Sequence, residues 1–326
     1  MKTKKEKYAF SKREIEILKV IANDNHILSQ IRERCSIKPS LLSHYLKKLQ
    51  EKDIIRVQQV ALSTEMNFAN SRKSIFFRDT KHALLLKELL TKYSHIKWED
   101  VLPGLGIEVL FQILAGAYSI DQSVSSITFW RYSRIFMALG IVTCSGEDLQ
   151  INDRFSLLSN FLEEYQSFII KAIVSSVSES AIVLWQKDFE CLIRLPKTTE
   201  ISRSDFVKTA TSCLPDYGIQ LMSDFETYFF SKRKTRICLE DIILHTLLIE
   251  RGNVRYVTYS LILLKKELAQ VDKDYLLKRA TWYDLGLQIN AMLEFLRTRG
   301  ARTGSGLPTW NELMAKMREY EDEALT

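Results

Sequence analysis

The chain has 326 residues, with 46 Lys and Arg against 40 Asp and Glu for a formal charge of +6, 46% hydrophobic residues, 11 Gly and 5 Pro. That length supports roughly two to three domains with full cores. The scarcity of Gly and Pro excludes long disordered linkers and an all-β fold, and apolar residues recur mostly at three- and four-residue spacing. The expected fold class is therefore mainly α with small β elements. The charge is uneven: residues 1–97 hold 21 Lys/Arg and 10 Asp/Glu, a balance of +11, whereas residues 98–326 balance at −5. A basic first third on a mildly acidic body fits a polyanion partner, or simply a solvated charged face. Cys35, Cys144, Cys191, Cys213 and Cys238 are scattered and form no CxxC, which suits a reducing cytoplasm. The opening MKTKKEKYAF lacks the apolar core of a signal peptide. The most apolar stretch, residues 168–185, includes Lys171, Glu179 and several serines, too polar for a membrane span.

Lys2, Lys4, Lys5, Glu6 and Lys7 make a charged arm. Ser11 caps the first helix, Glu14 completes a capping box, and Ile15, Leu18 and Ile21 mark its buried stripe. A turn at residues 23–26 leads to a second helix, 28–35, and a third, 39–52, which Pro39 opens from the first turn. On the third helix Leu42, Leu46 and Leu49 share one face. Ser40, Ser43, His44, Lys47 and Lys48 lie off that face, a set of small donors and cations suited to base edges and phosphates. Residues 54–60 and 74–78 read as two strands around a polar tip with Asn70, Arg72 and Lys73. Helix–helix–helix–hairpin is the order of a winged helix-turn-helix, which places a helix in a DNA groove and a basic tip over the backbone. The next helix, 79–93, has an apolar face (Ala83, Leu85, Leu86, Leu89, Leu90) larger than one small domain needs, so dimerisation or docking is expected there.

The run SLLSHYLKKLQEKDIIRV resembles the recognition helix and first wing strand of MarR- and ArsR-like regulators, whose pattern is S-x-[VL]-S-x-x-L-x-x-L-x-x-x-G-[LI]-[IV]. Asp53 stands where that pattern has Gly, and Asp tolerates the left-handed turn better than most residues. The resemblance implies a DNA-binding regulator.

A second unit repeats this order. A helix over 101–115 is broken near its start by Pro103 and Gly104. Residues 119–125 and 128–139 give two more helices, and a hairpin runs from 141–142 to 149–151. Arg131 and Arg134 are secondary candidates for DNA contact. The acidic tip SGED, with Glu147 and Asp148, repels phosphate and favours a structural or dimerising role. Asn152 opens a helix of about 25 residues, about 37 Å long, read as a connector or dimer spine. The last third begins with a hairpin, 181–185 with 190–195. A helix capped by Ser204 follows and runs through Thr211, then strands at 219–222 and 227–230, a basic loop (Lys232, Arg233, Lys234, Arg236), and helices at 239–249, 254–266, 273–283, 285–299 and 307–320.

TATSCLPDYGIQLM and YFFSKRKTRICLEDIILHTLL resemble nucleotidyltransferase-like folds found behind winged helices in archaeal regulators and AbiEi-type antitoxins, over about residues 180–300. An active enzyme of that kind needs a Gly-Ser turn and two or three carboxylates for Mg²⁺. Asp224 and Glu226, spaced i, i+2 on one strand face, are the nearest pair, and no Gly-Ser precedes them. Glu240 and Asp241 read as charges favouring a helix N-terminus, and His245 as a core-edge or surface residue. HExxH, P-loop, GxSxG and GxGxxG motifs are absent, as is any zinc-spaced His/Cys cluster. The expectation is therefore a non-enzymatic regulator without metal or cofactor, binding double-stranded DNA as a homodimer. It would comprise a winged helix with its docking helix (1–96), a degenerate second winged helix with connector (97–178), and a nucleotidyltransferase-like α+β domain (179–326). The alternative is an antitoxin-like interaction protein that grips a protein partner through its C-terminal domain, with DNA binding as autoregulation.

Overall fold

The computed structural model describes residues 8–23, 27–61, 71–116, 124–146, 148–201, 203–232, 236–301 and 306–323. Among them, helices dominate and the strands form three small antiparallel sheets, so the chain is mainly α with small β elements. It divides into two units, Met1–Ile169 and Ile170–Thr326. No helix among the described residues is long and apolar enough to cross a membrane.

In the first unit, α1 (Lys12–Ala22) starts at the expected capping box. Ser11 Oγ accepts from the Glu14 amide at 3.3 Å, and Glu14 Oε2 accepts from the Ser11 amide at 2.6 Å. Helices α2 (Leu28–Cys35) and α3 (Pro39–Glu51) follow, then β1 (Ile55–Ala61) and β2 (Ser71–Phe77), paired antiparallel. Ile15, Leu18, Ile21, Ile31, Leu42, Leu46 and Leu49 form the core between the helices. Each such side chain contributes about 1.5–3 kcal/mol by leaving water. Asp53 takes the left-handed conformation expected of it, φ +58°. Of the turn placed at 23–26, Asn23 caps α1, while residues 24–26 lie outside the described residues.

Lys52 ends α3 and is only 1% exposed. Its Nζ meets Glu14 Oε1, equally buried, at 2.5 Å, so one carboxylate caps α1 and neutralises the lysine that ends α3. Burial draws the Lys52 amine below its usual range, against the pull of Glu14.

Helix α4 (Lys81–Lys92) has its apolar face covered inside this same unit. It packs on α1, its His82 stacks on Phe168 with centroids 4.6 Å apart, and Lys81 pairs with Glu164. Ala83, Leu86, Leu89 and Leu90 of the expected face are thus buried intramolecularly, while Leu85 is half-buried. Buried His82 places Nε2 3.2 Å from the Lys52 carbonyl oxygen. Burial is the main cause that lowers its pKa from 6.5, opposed by that carbonyl and by Asp53 and Glu164. The unfolded chain therefore takes up a proton before the folded one does, and stability falls as pH drops below about 6.5. His82→Gln is expected to shrink the difference in Tm between about pH 7.5 and pH 5.5. An unchanged difference would remove His82 as the source.

The break at Pro103–Gly104 separates α5 (Trp98–Val101) from α6 (Leu105–Ala115). At Gly106 an added Cβ would sit 2.1 Å from the Val101 carbonyl oxygen, so this bend admits no side chain. Helix α7 (Ser126–Ala138) and the hairpin of β3 (Val142–Ser145) and β4 (Asp148–Ile151) follow at the places expected for a third helix and a wing. Most of the helix placed at 119–125 lies outside the described residues, as does Glu147. Asn152 caps a single 3-10 turn, and the helix that follows, α8 (Ser156–Ser175), has 20 residues, not 25. Its Phe161 and Tyr165 pack on Phe10, and Tyr165 Oη donates to the Tyr8 carbonyl at 2.6 Å. That face therefore serves the first unit's core.

The second unit holds a four-stranded antiparallel sheet in the order β5-β6-β8-β7. Its strands are β5 (Ile182–Lys187), β6 (Glu190–Pro196), β7 (Phe206–Lys208) and β8 (Phe225–Ser231). Two expectations fail here. The helix placed between Ser204 and Thr211 is strand β7 followed by a 3-10 turn, because Phe206 pairs in register with Phe230 and packs on its ring at 5.1 Å. Residues 219–222 form no strand; Ile219 is simply buried. Helices α9 (Leu239–Ile249), α10 (Val254–Lys266), α11 (Lys273–Trp282), α12 (Gly286–Arg297) and α13 (Trp310–Glu323) follow close to the expected bounds.

A polar network lies in the core of this unit. Glu190 on β6, only 3% exposed, accepts from Arg279 Nη2 at 3.1 and 3.2 Å, from Trp282 Nε1 at 3.1 Å and from Tyr283 Oη at 3.1 Å. Asp241 is fully buried. It caps α9 through the Cys238 amide at 2.9 Å, accepts from Tyr275 Oη at 3.1 Å, and lies 3.9 Å from Arg279 Nε. Burial alone would lower the Arg279 guanidinium, but Glu190 and the tyrosines outweigh it and hold the group above its usual range. His245 is not at an edge: it is fully buried, hydrogen-bonded to Thr209 at 2.8 Å and Tyr283 at 3.2 Å, and stacked on Phe229. Glu240 is also buried, accepting from the Asp272 amide at 2.7 Å. Both acids therefore do more than favour a helix end.

Candidate nucleic-acid interface

Helix α3 has two faces. Leu42, Leu46 and Leu49 are 6% exposed or less, whereas Ser40, Ser43, His44, Lys47 and Lys48 are all exposed, as expected. At 3.6 residues per turn, Ser40, His44, Lys47 and Lys48 fall within one side of the cylinder, with Ser43 at its margin. Leu41, 48% exposed, and Glu51 share that side. The helix has 13 residues, about 20 Å of length and about 10–12 Å of diameter. A B-DNA major groove is about 12 Å wide.

The hairpin beside it is longer than its sequence suggested. Strand β2 begins at Ser71, not Ser74, so Arg72 and Lys73 are strand residues opposite Val60 and Gln59 rather than loop residues at the tip. Continued pairing is the reason: seven ladder positions run from Ile55–Phe77 to Ala61–Ser71. Asn70 lies outside the described residues, and Arg72 is described by its backbone alone. The base of the hairpin is buried through Ile55, Ile75 and Phe77, and Gln58, Gln59 and Lys73 farther along it are exposed. An isolated antiparallel bridge joins Ile27, just before α2, to Ser74, tying the hairpin to the helices. At its other end Arg78 pairs with Asp53 at 2.5 Å.

The basic residues of this segment sort into two groups. Five are spent on carboxylates at or beside α1 and at the start of α4: Lys12 on Asp100 at 2.7 Å, Lys19 on Glu99 at 3.1 Å, Arg13 on Glu16, Lys52 at the end of α3 on Glu14, and Lys81 on Glu164, whereas Lys87 and Lys92 farther along α4 form no ion pair among the described residues. On α2, on the outward face of α3 and within the two hairpin strands the basic residues are not so spent. Arg32, Arg34, Lys38, Lys47, Lys48, Arg56 and Lys73 are exposed and form no ion pair among the described residues. Sequence reasoning missed Arg32, Arg34, Lys38 and Arg56. Their signal was visible only as the overall excess of charge.

The corresponding helix of the repeat, α7, is different in character. Arg131 and Arg134 are exposed, and Arg131 lies over the Tyr132 ring at 5.3 Å. Around them Ile127 (81%), Trp130 (49%), Ile135 (41%) and Leu139 are exposed apolar groups, a surface unlike that of α3.

In the second unit the carboxylate pair is not held together as a pair. Asp224 precedes β8, whereas Glu226 lies within it and engages Lys208 Nζ at 2.5 Å and Tyr228 Oη at 2.5 Å. Among the described residues no group of three or more His, Cys, Asp and Glu is placed to hold a metal ion. Burial pushes the Cys191 and Cys238 thiols up to about 12 and Cys213 up to about 11, which keeps all three protonated and poorly nucleophilic. Of the basic loop, Lys232 lies 3.9 Å over the Phe189 ring and Arg236 is exposed, while Arg233 and Lys234 lie outside the described residues.

No curated protein and no solved structure matches the chain. Residues 203–322, from strand β7 to helix α13, match the family model HVO_2833_C, C-terminal.

Proposed function

We propose that this protein is a sequence-specific, double-stranded DNA-binding transcription regulator that acts as a dimer through a winged helix in its first unit. The observation that carries the reading is the sorting of cations. Those at and beside α1 are neutralised by carboxylates, and those on α2, on the outward face of α3 and within the hairpin strands are left to solvent. Helix α3 then enters the major groove, with Ser40, Ser43 and His44 toward base edges and Lys47 and Lys48 toward phosphates. Lys73 and Arg56 on the hairpin meet the flanking backbone. Pairing of two copies is supported by the exposed apolar face of α7, because one such patch can cover its own copy across a two-fold axis. The cytoplasm is the compartment that suits five free cysteines.

Selection of bound DNA from a random pool by the purified chain, at two salt concentrations, tests this. A shared motif and an affinity that falls steeply with salt are expected. Lys47→Ala should weaken binding to all sequences and reduce the salt slope by about 1, whereas Ser43→Ala or His44→Ala should relax preference at single positions. Salt-independent binding, or binding unchanged in Lys47→Ala/Lys48→Ala, would overturn the reading.

A further inference from the structure

The second unit contains a cavity of about 380 Å³ beside the β7–β8 edge and the start of α10. We propose that it binds a small organic anion, a phosphate or carboxylate carried on a flat ring. Three cations line it, Lys197, Lys208 and Arg255, against Asp216 and Glu226. Their states differ. Lys208 and Tyr228 hold the Glu226 carboxylate at 2.5 Å each, so that acid is already satisfied. Burial would raise its pKa, but these two partners win and keep it ionised.

Lys197 and Arg255 are exposed and form no ion pair among the described residues, although Lys197 helps hold Glu226 ionised from a distance. Arg255 is nonetheless oriented. Its Nε donates to Tyr259 Oη at 2.8 Å, and its amide is held by the capping Asn253 Oδ1 at 2.9 Å. The guanidinium is thereby steered while its Nη groups keep their donors for a ligand. The positive end of the 13-residue α10 adds to this field.

The remaining wall suits a ring. Phe225 is 41% exposed, with the Arg194 guanidinium 5.1 Å from its ring centroid, and Met222 and Tyr256 also line the cavity. Asp216 offers an acceptor to a donor on the ring. The volume is in the range of small-molecule sites, about 300–1,000 Å³, and well beyond what a bare inorganic ion fills. The site lies wholly within the second unit and does not depend on the DNA reading.

Titration calorimetry of the full chain with phenyl phosphate, benzoate, inorganic phosphate and neutral benzamide tests the proposal. Phenyl phosphate or benzoate is expected to bind with a Kd of about 1 mM or tighter. The preferred one of the two identifies the anionic group. Lys197→Ala/Arg255→Ala should weaken that binding about tenfold or more, with circular dichroism and Tm unchanged because both side chains are exposed. Inorganic phosphate and benzamide, each lacking one half of the ligand, should bind at least about tenfold more weakly. Absence of heat with both ring anions at about 10 mM, equal binding by the double variant, or equal binding of benzamide or inorganic phosphate would overturn it.

Discussion

Replacing Arg279 by Met is expected to cost the second unit about 3–5 kcal/mol, the penalty for leaving buried charge without its partner. Glu190 would keep its donors Trp282 and Tyr283 but lose the only cation among its recorded partners, and Asp241 would lose the positive charge 3.9 Å away. Urea unfolding of the variant and the parent, followed by circular dichroism, checks the value. A double-mutant cycle sharpens it. Glu190→Leu alone should also destabilise, and Arg279→Met with Glu190→Leu should recover part of the loss, because two apolar groups can replace a buried pair at little cost. A cost below about 1 kcal/mol for Arg279→Met would mean that water reaches the network.

The second large effect belongs to Lys52. Lys52→Met should destabilise the first unit by about 3–5 kcal/mol, since it strands Glu14 at 1% exposure. Glu14 would retain its bond to the Ser11 amide, so α1 keeps its cap while the tie to the end of α3 is lost. The tie also helps set where α3 points its exposed face. Under the proposed reading DNA affinity falls together with stability. In Lys47→Ala affinity falls with the melting temperature unchanged. On that reading the two variants separate a residue that positions the helix from one that meets phosphate.

The legible part of the fold was local. The capping box at Ser11 and Glu14 spans three residues, and both bonds are present. Helices α2, α9 and α10 begin and end where periodicity and turn residues place them. The left-handed turn at Asp53 follows from a motif with Gly at that position. The exposed set Ser40, Ser43, His44, Lys47 and Lys48 needed only the 3.6-residue period and three leucines opposite. These features are settled by interactions within a few residues, which a sequence displays directly.

The remaining features depend on partners far apart in the chain. Lys52 finds Glu14 across 38 positions and Arg279 finds Glu190 across 89; among 86 charged residues no spacing rule selects those pairs. Strand β7 is three residues long and exists because β8 offers it a ladder, so Phe206–Lys208 read as helix until its neighbour was in place. His245 became a core residue for the same reason, since Thr209, Phe229 and Tyr283 converge on it from other elements. Residue pattern alone was enough for the helical class, for the helix–hairpin order of the first unit and for which face of α3 meets solvent. Only folding decided which cations are neutralised and which remain free, because charge pairing depends on distance in space.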